Sequence, residues 1–379
     1  REAQQQQKML YIAINALALA APVEQQNEVH PERQAQIEKV NAAGAHWRAA
    51  AHPRFAKSAP GVSANLLGVK GDWARDIKDQ MALGEIVEYM PKSNSLDIPD
   101  NFDSEENWPA CAKTIGLIRD QSNCGCCWAF GGSEAASDRM CIASNATLLM
   151  PLSDEDICFG ASYNGCGGGQ ITTPWSYIKR NGVVTGGLYK NSEGQESGFS
   201  GFCSDYSLPH CHHHGPQGDD PWPAEGQPGC PSAHSPPAPK KCDSTASDAH
   251  ANFAADKITY SGSTETASGE QHIQQMIMEG GPVETAFTVY TDFEDYAGGI
   301  YKHVSGGMAG GHAVKFTGWG VENGVKYWKV ANSWNPFWGE KGYFRIVRGQ
   351  NEGGIESQVI GSPAGAVWGS LHAMRTVEA

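Results

Sequence analysis

The sequence predicts an α+β fold in two halves, helices first and strands later, behind a separate N-terminal segment. Three observations carry this expectation. Helix-type signals follow Gln121, alternating strand-type runs begin after Pro282, and no cysteine occurs before Cys111.

The N-terminal part divides in two. Lys8 precedes an apolar run, Leu10 to Ala21, that ends in small residues, the pattern of a signal peptide over residues 1–22. The run is about 12 residues long, short of the ~20 that a membrane span needs. Residues 23–96 are polar and cysteine-free, with a helical-looking stretch from Asp72 to Tyr89 in which Trp73, Ile77, Met81 and Ile86 recur at roughly helical spacing. The change of composition near Leu96-Asp97-Ile98-Pro99 suits a cleavable pro-segment ahead of a disulfide-bearing domain, residues 97–379.

In that domain a Gly/Cys turn at Gln121–Cys127 feeds a helix reaching Cys141. Gly131 and Gly132 weaken it by roughly 1 kcal/mol each relative to Ala. Ser153-Asp154-Glu155-Asp156 supplies an N-cap and early acids for a second helix. Residues 203–242, rich in His, Pro, Gly and Cys, read as a long loop, and such loops are usually functional. Val283–Tyr290, His312–Phe316 and Tyr327–Asn332 alternate as strands, the last two separated by the hairpin signal Glu322-Asn323-Gly324. The tail, residues 366–379, carries no signal.

Composition narrows the function. A formal net charge of −14 argues against nucleic acid as a partner. Eleven cysteines point to an oxidising compartment, and the odd count leaves a thiol unpaired.

The chemistry sits in three places. In Asp120-Gln121-Ser122-Asn123-Cys124-Gly125-Cys126-Cys127-Trp128, Cys127 stands where a helix begins, and unpaired N–H groups there favour a thiolate. Gln121 can offer a side-chain N–H to a developing oxyanion. Spacing alone leaves the three cysteines equally open to reading as disulfide halves. Gly310-Gly311-His312-Ala313 places a His at the start of a strand. In Val330-Ala331-Asn332-Ser333-Trp334 an Asn ends a strand beside an indole, able to fix an imidazole tautomer and to shield that bond from water.

Together with Trp108-Pro109-Ala110-Cys111, Ser137-Asp138-Arg139, Ser305–Ala313 and Gly318–Gly324, these motifs resemble the papain-type cysteine proteases, and among them the cathepsin B group, from about Ile98 to Gly365. The resemblance implies a papain-like fold of two subdomains, a helical left half and an antiparallel β-barrel-like right half. It implies Cys127 as nucleophile, His312 as general base and acid, Asn332 as orienting residue and Gln121 as oxyanion donor. Trp334 would border the site as a shield, and Gly168 and Gly169 would pair with substrate as a short strand. The implied reaction is hydrolysis of peptide and protein substrates through a thioester on Cys127. No cofactor or metal is implied, and the pro-segment would act as an intramolecular inhibitor of a monomer made in the secretory pathway, for a lysosome-like vacuole or the extracellular space.

Cys127 and His312 stand 185 positions apart, more than the ~130–150 of the papain pattern, and residues 203–242 account for the excess as an occluding loop. There His213 and His214 match the pair that holds a substrate's C-terminal carboxylate, with Asp120 matching the acid beside the first. Removal of C-terminal dipeptides alongside internal cleavage follows by resemblance. Three consecutive histidines do not easily converge on one metal ion. The implied disulfides are Cys111–Cys141, Cys124–Cys166, Cys211–Cys230 and Cys158–Cys242, with Cys203 lacking a partner. Asn145-Ala146-Thr147 is a glycosylation sequon.

The chain departs from the family at four places. Cys126 stands where Ser is usual, and a Cys126–Cys127 link would cap the nucleophile and make the enzyme easily oxidised. Gln227 and Phe337 replace an Arg and an Asp that latch the loop, which favours endopeptidase activity. Gln358 replaces a Glu on the floor of the pocket for the second residue upstream of the cut, which disfavours Arg there. The rival functions are a catalytically silent homologue acting as a binding protein, and a redox or metal protein built on the vicinal cysteines and the His-rich loop.

Overall fold

The structure is a computed structural model that describes residues 29–92, 97–189, 199–210 and 233–378. The apolar run of residues 1–22, and Cys211, His213, His214, Gln227 and Cys230, lie outside the described residues.

Seven helices organise the described chain: α1 (Pro31–Ala42), α2 (Trp73–Ala82), α3 (Cys127–Ala143), α4 (Asp154–Gly160), α5 (Thr172–Asn181), α6 (Glu270–Gly280) and α7 (Leu371–Glu378), besides single turns such as Ser104–Asn107. The strands are β1 (Trp47–Ala49), β2 (Ile86–Glu88), β3 (Phe102–Asp103), β4 (Ile258–Tyr260), β5 (Thr264–Ala267), β6 (Val283–Tyr290), β7 (Tyr296–Tyr301), β8 (Met308–Glu322), β9 (Val325–Ala331), β10 (Tyr343–Val347), β11 (Val359–Gly361) and β12 (Trp368–Ser370). Helices α3 to α5 precede the main strands, as expected.

The local signals explain most boundaries. Asp72 caps α2 by accepting from the Arg75 N–H, and Ser153 caps α4 by accepting from Asp156. The expected helix from Asp72 to Tyr89 is shorter than read. It stops at Ala82, the chain turns at Gly84 (φ +75°), and Ile86–Glu88 pairs in parallel with β5 instead. Gly131 and Gly132 remain helical for a packing reason: a Cβ at Gly132 would meet the Pro174 ring at 2.3 Å, and one at Gly131 the Glu284 side chain at 3.2 Å. Close approach outweighs propensity there.

The sheet runs β1-β7-β10-β9-β8-β6-β11-β5-β2, with β3 paired to β8. Its pairs are antiparallel except β7 with β10 and β2 with β5. Both outer strands, β1 and β2, belong to the N-terminal segment. That segment also enters both cores: Val40, Trp47, Phe55 and Leu66 join the sheet-side core, and Val69, Ile77 and Ile86 the core around α3. The tail is part of the fold, because β12 pairs with β4 and Trp368 packs on Tyr260 at 4.8 Å. A buried ion pair joins the halves, Lys315 of β8 donating to Asp138 of α3 at 2.7 Å.

Among the described residues, no helix is long and apolar enough to cross a membrane.

Candidate active site

Cys127 is the first residue of α3, with Cys126 at the cap position, so the chain does place this thiol at a helix start. It is buried and is the only free cysteine among the described residues. Its Sγ receives the Gly68 N–H at 3.2 Å and the N–H of Ala313, the residue that follows His312 on β8.

His312 is fully buried in β8, and its tautomer is readable from its neighbours. Asn332 Oδ1 accepts the Ser333 N–H at 2.9 Å, which identifies that atom as the oxygen. The His312 Nε2, 2.8 Å from the same oxygen, must therefore carry the proton and donate it. Nδ1 keeps its lone pair and has no hydrogen-bond partner among the described residues. Trp334 covers the ring, centroid to centroid at 5.0 Å.

Gln121 Nε2 donates to Leu66 O at 2.9 Å and to Cys124 O at 2.7 Å, while its Oε1 accepts from Ser333 Oγ at 2.7 Å. The amide is thus held with one N–H turned to the N-terminal segment lying over Cys127 and the other spent on the turn that precedes it.

That segment fills the cleft as a short strand. Val69 N donates to Gly311 O at 3.0 Å, Lys70 N to Gly169 O at 3.1 Å, and Gly169 N to Gly68 O at 2.9 Å. Gly169 therefore pairs with the backbone of the N-terminal segment in the cleft. At Gly168 (φ +107°) a Cβ would meet Gly68 O at 2.4 Å, so the close approach requires glycine. The segment meets the Cys127 sulfur through the Gly68 N–H.

Cover changes the electrostatics. Burial pushes the Cys127 thiol up to about 11, against the backbone donors of Ala313, Gly68 and Trp128 that favour thiolate. Burial also takes His312 down to about 4, its bond to Asn332 pulling the other way. The helix start was expected to favour thiolate, but in the covered state desolvation wins and both groups are neutral.

Two disulfides form as expected, Cys111–Cys141 and Cys124–Cys166. Cys158–Cys242 does not. Cys158 pairs with Cys126, Cα to Cα 6.2 Å, and Cys242 pairs with Cys203, at 4.4 Å. Both separations are within ordinary reach, whereas the Cα atoms of neighbours such as Cys126 and Cys127 stand ~3.8 Å apart, too close for an ordinary bridge. The expected Cys126–Cys127 cap is therefore corrected, and Cys203 has a partner. The Cys124, Cys126 and Cys158 sulfurs cluster, but each is committed to a disulfide.

Other expected residues have no hydrogen bond to Cys127 among those described. Gln358 precedes β11 and its Oε1 accepts from Thr266 Oγ1 at 2.7 Å. The neighbouring turn at Gly354 abuts Trp73 of the N-terminal segment. Asp120 accepts from the Ser122 N–H at 2.7 Å and from Asn335 Nδ2 at 3.2 Å. Asn145 is exposed just beyond α3, where a sequon is accessible. Sequence reading missed how the N-terminal segment is anchored. Arg33 of α1 is buried against Glu294 and Asp295, both at 2.8 Å, and no apolar periodicity marks that contact.

A thiol at a helix start, beside a strand that carries an Asn-oriented imidazole, in a cleft between a helical and a sheet half, defines the class of two-lobed cysteine proteases. The papain family cysteine protease profile matches residues 98–362, and the chain belongs to that family. It is cathepsin B-like. It is 44% identical over 273 residues to Cathepsin B-like cysteine proteinase 6 of Caenorhabditis elegans, covering 71% of this chain and 68% of that one. To Cathepsin B-like cysteine proteinase 5 of the same organism it is 47% identical over 278 residues, covering 70% and 75%. Among solved structures, proCathepsin B S9 from Trypanosoma congolense superposes with a TM-score of 0.68 at 26% identity, covering 87% of this chain and 97% of that one. Digestive procathepsin L 3 of Tenebrio molitor larval midgut gives 0.58 at 19% identity, covering 95% and 98%, a likeness of fold. Both are proforms, and here too the N-terminal segment lies where an intramolecular inhibitor lies.

Proposed function

We propose that this chain is the precursor of an active cysteine peptidase that hydrolyses peptide bonds through a thioester on Cys127. His312 is its acid/base partner, Asn332 orients the imidazole, Gln121 donates to the oxyanion, and Trp334 shields the His312–Asn332 bond. The observation that carries the reading is the fixed tautomer of His312: Nε2–H is spent on Asn332, leaving a bare Nδ1 on the strand whose next N–H touches the Cys127 sulfur. A general base for a thiol needs that lone pair.

Residues 23–96 are the pro-segment and residues 97–379 the peptidase domain. Once the segment leaves, Gly168 and Gly169 offer the same backbone edge to substrate. The enzyme combines endopeptidase with dipeptidyl-carboxypeptidase activity, the latter through His213 and His214. Phe337 and Gln227 supply no ion pair to hold that loop, which weights the balance towards internal cleavage. Gln358 in place of an acid weights the pocket towards apolar side chains over Arg. The proposed setting is the secretory route, with Asn145 glycosylated.

An epoxide inhibitor that traps catalytic thiols tests the reading. The matured chain should be labelled at Cys127 and lose hydrolysis of a Phe-Arg substrate, which it should prefer to Arg-Arg, and Cys127→Ser should take no label. Retained binding of peptides without labelling would favour the silent-homologue reading instead.

A further inference from the structure

We propose that Glu294 and Asp295 form an exosite of the matured enzyme that binds an arginine of a protein substrate, several residues away from the bond being cut. This rests on reading the chain as a peptidase whose N-terminal segment is removed.

The two acids are arranged to hold a guanidinium. Both are buried, and the fork of Arg33 spans them, Nη1 donating to Asp295 Oδ1 and Nη2 to Glu294 Oε2, each at 2.8 Å. Glu294 also accepts the N–H groups of Gly61, at 3.0 Å, and Ser63, at 2.7 Å, while Asp295 Oδ2 accepts from Gln36 Nε2 at 3.4 Å. All these donors belong to the N-terminal segment. When it leaves, two neighbouring carboxylates lose their cation together, and the return of solvent favours the charged form of both. A planar fork with two donors answers such a pair, whereas an ammonium is a single point of charge.

The peptidase domain itself holds the acids in place. They end the 3₁₀ turn Thr291–Asp295 that joins β6 to β7. Phe293 anchors that turn in the sheet-side core. Asp292 ties it down from the other side: its Oδ1 accepts from the Tyr301 hydroxyl at 2.7 Å, and its Oδ2 from the N–H groups of Val304 at 2.8 Å and Ser305 at 2.9 Å. None of these ties involves the N-terminal segment. The acid pair is therefore formed before a ligand arrives, and little ordering is left for the ligand to supply.

The pair lies outside the cleft but on the same sheet. Phe287 of β6 pairs with His312 of β8, and Thr291 lies roughly 13 Å further along at ~3.3 Å per residue. A two-residue substrate spans about 7 Å and stays clear of the acids. An extended substrate reaches them with an arginine about four or more residues from the cut. Short substrates report the cleft alone, and longer ones the cleft and the exosite together.

The test uses the matured wild-type chain and quenched peptides that share one cleavage site after Phe-Arg. A single further arginine is moved outward, residue by residue, on either side of that site. Each peptide is matched by one carrying citrulline, which keeps the shape and loses the charge. At the position that reaches the acids, arginine should lower KM about tenfold relative to citrulline, with kcat unchanged. Glu294→Gln, combined with Arg33→Gln so that the precursor buries no unpaired guanidinium, should bring that ratio close to one. Asp295→Asn in the same Arg33→Gln background serves if the first pair does not fold. Equal KM for arginine and citrulline at every position, in a chain that takes the epoxide label at Cys127, would overturn the exosite alone. So would an arginine advantage that both substitutions leave unchanged. A chain that takes no label and cleaves no peptide would overturn the peptidase reading and the exosite with it.

Discussion

The helical half and the sheet half each hold one reactive residue, and they hold it by different means. Every disulfide among the described residues lies between Cys111 and Cys242. Two of them, Cys124–Cys166 and Cys126–Cys158, flank the turn that delivers Cys127. The half that carries His312 has no bridge. There Phe293 sits within 4.9–5.7 Å of the rings of Phe287, Tyr301, Trp334, Trp338 and Phe344, so an aromatic pile supports Trp334, which covers the imidazole. A tight turn with little side-chain volume is fixed by covalent ties. A strand in a ladder is fixed by its neighbours and by burial.

The sharpest way to break this contrast is to remove the centre of the pile. Phe293→Ala should cost about 3–5 kcal/mol in denaturant unfolding, with activity lost in step with the packing of Trp334. A cost under about 1 kcal/mol would mean that the pile is not what supports the sheet half. The helical half should respond less. Cys126→Ser with Cys158→Ser removes one tie and should cost about 2–4 kcal/mol, and the effect should add to that of Phe293→Ala because the two sites share no partner. Peptide mapping that finds Cys158 joined to Cys242 would contradict the pairing described above.

The same contrast explains what was legible in the sequence. The Cys127 turn, the His312 strand and Asn332 are local motifs with distinctive neighbours: Cys127 opens its helix as expected, His312 lies in a strand that begins earlier than expected, at Met308, and Asn332 directly follows β9. The pairing of Cys158 was misread although both clues were visible. A cysteine is gained at Cys126 and Cys203 is left without a partner, and together they imply a re-pairing that either clue alone does not. Ile86 was read into a helix because its spacing fits one, but pairing with β5 is a long-range event that periodicity does not report. α1 carried no signal for a similar reason. It docks through the buried charge of Arg33 as well as through Ile37 and Val40, and a buried arginine looks like a surface residue until its acids are known.

The full chain differs from the enzyme it is proposed to yield chiefly in the ionisation of the Cys127–His312 pair, and alkylation of Cys127 across pH measures that directly. With the N-terminal segment docked, iodoacetamide should react slowly at neutral pH, its rate rising only towards the thiol's displaced value of about 11. After removal of the residues before Asp97, the same sulfur should react rapidly at pH 6–7, as a thiolate paired with an imidazolium does. Superimposable profiles for the two forms would contradict both the cover and the pair.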